Sequence, residues 1–312
     1  MNTPLVIPAF AKVNLSLDVL GVLPNGYHQV KMIMHGIRLH DTVTLRWDET
    51  KDQEGKSDFS ISITSNKADI PTDQRNLAWK AANLMWETYG RGKDGHLSID
   101  LEKRIPQGAG LAGGSSNGAA VILGLAKLWH LSISLEELCH LGGTVGADVV
   151  FSMMCIAAMA PELEYTKNTM AATCALAEGT GVEMTPLPAY SSIVVISKPG
   201  FPVSTAEVYK GIDQYQILQH PDIDNQTEAL RRGDGKKIEE NMINVLENYS
   251  SNRYDEIMYT KNMMQDTCPS AAVLMSGSGP SVFALVAEES EAQRLYKTMT
   301  AVNRETFITK LL

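Results

Sequence analysis

Between residues 105 and 117 the chain reads Ile-Pro-Gln-Gly-Ala-Gly-Leu-Ala-Gly-Gly-Ser-Ser-Asn, a run fitted to holding an anion. The alternating segment His96 to Leu101 leads into it with Leu97, Ile99 and Leu101 on one face, and Gly118, Ile122, Leu125 and Trp129 follow at helical spacing. In a strand, glycine loop and helix start, glycines let the backbone approach a ligand closely. The helix N-terminus adds unpaired N–H groups and partial positive charge. Three patterns compete for the loop. Gly108-x-Gly110-x-x-Gly113 fits the dinucleotide fingerprint, but the capping box Ser134-Leu135-Glu136-Glu137 opens a second helix where that fold needs a parallel strand ending in an acid. Gly114-x-Ser116-x-Gly118, followed by Asp148 and His220, fits a serine hydrolase, although a nucleophile elbow sits directly off a strand and residues 108–114 intervene. The pattern G-x-x-x-x-G-K-[ST] fits Gly108 to Ser115 except that Gly114 stands at the lysine position, so such a nucleotide loop must import a cation from elsewhere.

Lys12 can supply it. Residues 12–19 alternate strictly, placing Val13, Leu15, Leu17 and Val19 on one face of a strand and Lys12, Asn14, Ser16 and Asp18 on the other. The other group with obvious chemistry is Asp148, in a turn that leads into an apolar run. Around these, Pro24-Asn25-Gly26 signals a turn, Val43–Trp47 and Phe59–Ile63 read as strands, and a helix starts near Asn76 with Leu77, Ala81, Leu84 and Met85 as its stripe. The helix of the capping box ends at Gly142-Gly143. Further on, Ile193–Ile196 reads as a buried strand, residues 225–250 as mostly polar helix, and Arg253–Met264 as another helix. A second glycine turn, Ser276-Gly277-Ser278-Gly279-Pro280, separates two apolar runs; by itself it is a hairpin turn that touches the glycine loop at most indirectly.

Composition bounds the partners. The 312 residues allow about two domains, and 27 Lys+Arg against 36 Asp+Glu give a formal charge of −9, opposite to the field that binds polyanionic DNA or RNA. Phosphates must then be met by a few local cations and backbone N–H groups. No secretory signal is read at the N-terminus, and the longest apolar run, Val149 to Pro161, is far short of the roughly 20 residues of a membrane span. Four dispersed cysteines without a C-x-x-C pair argue against a zinc or disulfide scaffold and fit a cytoplasmic setting.

Seven blocks taken in order resemble the GHMP small-molecule kinases, named for galacto-, homoserine, mevalonate and phosphomevalonate kinases. They are residues 8–17, Asn25-Gly26-Tyr27-His28, the loop Pro106 to Asn117, Gly146-Ala147-Asp148-Val149, Ala177-Glu178-Gly179-x-Gly181, Val203-Ser204-Thr205-Ala206 and Ser276 to Gly279. The resemblance implies an α+β, two-domain architecture: an N-terminal ATP-binding α/β domain over 1–160, a C-terminal ferredoxin-like α+β substrate domain over 161–312, and the active site between them. It also implies ATP-dependent phosphorylation of an alcohol, and the Asn25–His28 turn points to the branch acting on a cytidine diphosphate-linked methylerythritol in isoprenoid precursor synthesis. A homoserine or mevalonate type of kinase is the nearest alternative, and a non-catalytic ligand sensor or the serine hydrolase the alternatives of other classes.

Carried over residue by residue, the resemblance makes Lys12 and Asp148 the catalytic pair. Asn76, Leu77, Lys103, Pro106, Gly108, Gly110, Gly113, Gly114, Ser115 and Ser116 then bind ATP, and Asn14, Tyr27, His28, Thr205 and Tyr209 bind the substrate. If helical, the spacing of Thr205 and Tyr209 puts both on one face. Mg²⁺ is expected with ATP, its protein ligand unnamed. The expected assembly is a monomer or weak homodimer. The chain departs from the family at Ala112, Gly118 and Val150, and by an insertion at about 155–172 expected to form an extra helix or a lid.

Overall fold

Two long strands begin the computed structural model, which describes residues 3–49 and 59–312. β1 (Leu5–Val22) and β2 (His28–Glu49) are joined by the expected turn, in which the Gly26 N–H donates to the Leu23 carbonyl (2.9 Å) and the Leu23 N–H to the Tyr27 carbonyl (2.7 Å). The alternation of residues 12–19 is present, but neither face is solvated: Lys12, Asn14, Ser16 and Asp18 are buried like the apolar residues between them. Buried polar groups need partners inside the fold. Ser16 Oγ donates to the carbonyls of Leu15 (2.8 Å) and Asn241 (3.0 Å), and Asp18 Oδ1 accepts from its neighbour's N–H and lies 2.7 Å from His220 Nδ1.

By packing, the chain divides into two compact units, each built from three segments: Met1–Ala11, His40–Ile105 and Ala112–Ala171 in one, and Lys12–Leu39, Pro106–Leu111 and Ala172–Leu312 in the other. In the first unit, residues 42–49 of β2 pair antiparallel with β4 (Gly95–Glu102), and β3 (Phe59–Ser65) pairs parallel with β4. Leu97, Ile99 and Leu101 point into the core as expected. Four helices cover this part: α1 (Leu77–Tyr89), α2 (Gly113–Leu128), α3 (Leu135–Gly143) and α4 (Ala147–Met159). Every residue of α2 from Ser116 to Ala126 is buried, so it is a core helix rather than an amphipathic one. Its small residues set the approach of its neighbours; a β-carbon at Gly124 would lie 2.4 Å from Leu45 Cδ1 and 2.7 Å from Ile7 Cδ1. The capping box of Ser134 and Glu137 opens α3.

The insertion forms no α-helix of its own. Residues 155–159 are the end of α4, and the rest is a single 3-10 turn, Pro161–Leu163, followed by a loop fastened to the helices beside it. Leu163 is buried, Tyr165 Oη donates to the Ile133 carbonyl (3.1 Å), and Lys127 pairs with Glu164 at 2.6 Å.

In the second unit, residues 32–35 of β2 pair antiparallel with β5 (Cys174–Glu178), which pairs antiparallel with β6 (Glu183–Leu187). A separate antiparallel sheet holds β7 (Ile193–Lys198), β8 (Ala272–Met275), β9 (Val282–Val286) and β10 (Glu305–Lys310) in the order β10-β7-β9-β8. Helical connections follow β7 and β9, the latter through α10 (Glu289–Thr300), so strand order and connection together are ferredoxin-like, as expected. The polar stretch after β7 breaks into short helices: α5 (Thr205–Ile212), α6 (Ile223–Arg232), α7 (Gly235–Glu240), α8 (Glu247–Arg253) and the longer α9 (Asp255–Thr267). Among the described residues no helix is long and apolar enough to cross a membrane. All four cysteines are buried free thiols.

His35, on β2, sits wholly inside the second unit. Its Nδ1 donates to the Gly36 carbonyl (2.9 Å), so Nε2 accepts the Tyr190 N–H (3.0 Å), which fixes the neutral tautomer. Desolvation lowers its pKa from 6.5 to about 4, the backbone contact at Gly36 opposing that shift. The unfolded chain therefore takes up a proton between about pH 6.5 and 4 that the native state refuses. Stability is full above pH 6.5 and falls by about 3 kcal/mol as the pH drops through that window. Urea melts at pH 7 and 4.5 should show this loss, and His35→Gln, which cannot titrate, should show a smaller one. Equal losses in the two proteins would contradict the assignment.

Candidate active site

In the first unit the helix after the glycine loop starts five residues before the helical spacing predicts, so Gly113, Gly114, Ser115 and Ser116 form the first turn of α2 instead of a loop. Ala112, the N-cap, holds φ +60° and gives no side-chain cap, and the first intrahelical bond is the Ser116 N–H donating to the Ala112 carbonyl (2.9 Å). The N–H groups of Gly113, Gly114 and Ser115 precede that bond and need acceptors from outside the helix. The Ser116 hydroxyl is buried without a hydrogen-bond partner among the described residues, an arrangement that suits a ligand-facing donor.

Asn76 and Leu77 stand at the same place. Asn76 caps α1, its Oδ1 accepting the Ala78 N–H (2.9 Å) and its Nδ2 donating to the Pro71 carbonyl (2.7 Å). Leu77 packs on α2, where β-carbons at Gly114 and Gly118 would lie 3.6 Å from Leu77 Cδ1 and 3.3 Å from its carbonyl oxygen. Lys103 turns inward as its position in the alternation implies. It forms an ion pair with Asp41 and donates to Asn117 Oδ1 (2.7 Å), with Nζ 3.5 Å from where a β-carbon of Gly113 would be. Asp148 lies in the first turn of α4, where the helix dipole favours a negative charge.

The second unit holds the remaining groups. Lys12 Nζ donates to Asn14 Oδ1 (2.7 Å), and Asn14 Nδ2 reaches Met32 Sδ (3.3 Å). The second glycine turn is not a remote hairpin, which corrects the expectation for it. A β-carbon at Gly110 (φ +72°) would lie 2.1 Å from the Ser276 carbonyl oxygen, Ser276 Oγ donates to the Gly110 carbonyl (3.0 Å), and a β-carbon at Gly277 would lie 3.2 Å from Lys12 Nζ. Gly108 (φ +54°) packs as closely on Pro202, whose Cβ would be 2.6 Å from a side chain there. Pro106 is buried at the start of the same loop.

Further along β2, His28 and Tyr209 meet with ring centroids 5.1 Å apart, and Thr205 Oγ1 lies 3.0 Å from Ser278 Oγ, so Thr205 and Tyr209 share one face of α5. Tyr27 itself is two-thirds exposed beside this pair. His28 Nε2 donates to Asp213 Oδ1 (2.8 Å), which leaves Nδ1 as an acceptor in the neutral ring. Sequence reasoning missed Asp213, the partner of His28, and Asp41, the partner of Lys103. Asp41 did carry a signal, because running the Val43, Leu45, Trp47 alternation back two residues puts a carboxylate inside.

Two patterns drop out. Ser116 is an interior residue of a helix, not the tip of an elbow, and His220 is partnered by Asp18, not Asp148, so the hydrolase arrangement is absent. No parallel strand follows α2, which removes the dinucleotide fold.

Residues 76–156 match the family model of the GHMP kinases N terminal domain, and residues 227–305 that of the GHMP kinases C terminal domain. The chain belongs to the GHMP kinases. Among its relatives, a 4-diphosphocytidyl-2-C-methyl-D-erythritol kinase of Geobacillus sp. (strain WCH70) is 40% identical over 309 residues, 99% of this chain and 97% of the relative. The protein of that name from Clostridium acetobutylicum is 38% identical over 97% of this chain and 99% of its own. A crystal structure of 4-(cytidine 5'-diphospho)-2C-methyl-D-erythritol kinase superposes with a TM-score of 0.74 at 28% identity, covering 98% of this chain and 99% of that one. A homoserine kinase from Cytophaga hutchinsonii shares the fold, with a TM-score of 0.67 at 17% identity.

The contact at Gly110 admits no side chain, since the obstructing atom is a backbone oxygen and the φ is left-handed. Gly110→Ala should destabilise the second unit by about 3 kcal/mol or more in denaturant melts. Gly200→Ala, in the same unit with nothing within 4 Å, should stay within about 1 kcal/mol of wild type. Equal effects at the two sites would show that the loop can yield.

Proposed function

We propose that the chain transfers the γ-phosphoryl group of ATP to the 2-hydroxyl of 4-diphosphocytidyl-2-C-methyl-D-erythritol, a step toward isoprenoid precursors. The observation that carries the substrate is the close identity, over nearly full length, to relatives of that name. The geometry at Tyr27, His28, Thr205 and Tyr209 supports it: a ring face for stacking beside an Nδ1 acceptor suits a base with an exocyclic amino group, and cytosine is such a base.

In this reading the N–H groups at the start of α2, with Ser115 and Ser116, hold the phosphates of ATP, and Gly108 and Gly110 let the loop backbone approach them. Asn76 and Leu77 border the nucleoside, and Asn14 shares the substrate face of Lys12. Asp148 accepts the proton of the attacking hydroxyl, whose oxygen bonds to the γ-phosphorus while the bond to the bridging oxygen breaks and ADP leaves. Lys12 offsets the charge on the transferring group. Mg²⁺ would neutralise the phosphates when bound. The described residues contain no cluster of three His, Cys, Asp or Glu side chains able to cage an ion, so ATP and water would supply most of its ligands. The division near residue 160 into ATP and substrate domains, a cytoplasmic setting and a monomer or weak homodimer belong to the same proposal.

A coupled ADP-release assay should give turnover with the diphosphocytidyl substrate and none with mevalonate, homoserine or galactose; the reverse pattern would end the substrate assignment. Asp148→Asn should lower kcat by a factor of about 10³ or more while ATP binding by calorimetry stays within about threefold. Near-normal turnover in that variant would remove Asp148 from the chemistry.

A further inference from the structure

Asp41 is a fully buried carboxylate on β2, in register with the inward residues Val43, Leu45 and Trp47. A charge at such a position costs several kcal/mol unless its lone pairs are taken up, and a strand core is served as well by an apolar residue. Asp41 has every oxygen engaged. Oδ1 accepts the N–H groups of Arg104 (2.7 Å) and Ile105 (2.8 Å), while Oδ2 accepts Asn117 Nδ2 (3.0 Å) and forms the ion pair with Lys103. Lys103 in turn donates to Asn117 Oδ1, which closes a triangle of three side chains.

The position of these partners matters more than their number. Arg104 and Ile105 are the last residues before the glycine loop, and Asn117 lies in α2, which the loop enters. One carboxylate therefore holds both ends of a segment whose glycines leave it conformationally loose. The same carboxylate aims the Lys103 ammonium at the first residue of α2, where the N–H groups lack helical acceptors. From this arrangement we propose that Asp41 is a positioning residue for ATP. It touches no substrate and acts through Lys103, Asn117 and the two flanks of the phosphate loop. The proposal rests on the kinase reading of that loop and adds to it a residue outside every motif of the sequence.

In Asp41→Asn the new amide group turns a donor toward Lys103 and Asn117, so the triangle opens while side-chain volume is kept. Calorimetry on the full chain should show ATP affinity falling about tenfold or more, with affinity for the diphosphocytidyl substrate within about twofold of wild type. A residue that served stability alone would lower the melting temperature and leave that ratio unmoved. Asn117→Ala, which frees α2 from Asp41 without stranding a charge, should shift ATP affinity in the same direction and covers the case that Asp41→Asn does not fold. ATP affinity within twofold of wild type in both variants, or equal losses for both ligands, would overturn the proposal. A wild-type chain that binds ATP but not the diphosphocytidyl compound would refute the substrate assignment instead, and the ATP ratio would still decide the role of Asp41.

Discussion

Gly110 has no room for a β-carbon, and much of the second unit follows from that. The two glycine turns, 166 residues apart, share a surface at which one backbone lies against another, with Ser276 Oγ donating to the Gly110 carbonyl. For the fit to persist, the second turn must itself be rigid. Asn244 Nδ2 donates to the carbonyls of Met275 (2.8 Å) and Gly277 (2.7 Å), and Ser250 Oγ to that of Ser278 (3.2 Å). Asn244 is held in place by bonds between its neighbours and β1: Leu17 N–H to the Ile243 carbonyl and Val245 N–H to the Leu17 carbonyl. β1 also carries Lys12, whose own N–H donates to the Leu111 carbonyl at 3.1 Å. The path from β1 through Asn244 and both turns thus returns to β1, the strand that carries Lys12.

Features written in contiguous residues were legible before any coordinates. The capping box at Ser134 and Glu137, the alternation of Leu97 to Leu101, the turn at Asn25-Gly26 and the left-handed glycines of the loop each depend on neighbours in sequence, and each is found where the pattern puts it. What depends on distant partners was not legible. The burial of the polar face of β1 was not legible because nothing in residues 12–19 announces the Asn241–Val245 segment that covers part of it. Asp41 takes its four donors from residues 62 to 76 positions further on. β5, β6 and β10 are strands of five or six residues whose short runs gave no decisive period. The start of α2 was misplaced because glycines and serines read as loop, whereas the packing of α1 on Gly114 and Gly118 holds them in a helix.

Against the net charge of −9, two of the buried lysines, Lys12 and Lys103, put positive charge at chosen places. Lys103 brings its own counter-ion, Asp41, so a positive group stands at the start of α2 without adding to the field at long range. Lys12 Nζ donates to Asn14 Oδ1, which helps to orient the ammonium. A desolvated cation fixed by hydrogen bonds acts on a nearby phosphate more strongly than a surface lysine does, because water screens it less. A few placed cations can therefore create local positive potential in a chain whose net charge is negative.

These placements work against stability, and that opposition explains where the sequence patterns break. A core built for stability alone would put apolar side chains at positions 12, 14 and 41, since burying an ion pair gains little over packing a hydrophobe of equal volume. Ala112 at φ +60° and the unpartnered hydroxyl of Ser116 are further departures at the same loop. At the caps of α1, α3 and α6, by contrast, polar groups are satisfied in ordinary ways. The cost of burying Lys12, Asn14 and Asp41 is carried by the apolar packing beside each of them, Val13, Leu15 and Val43 among it.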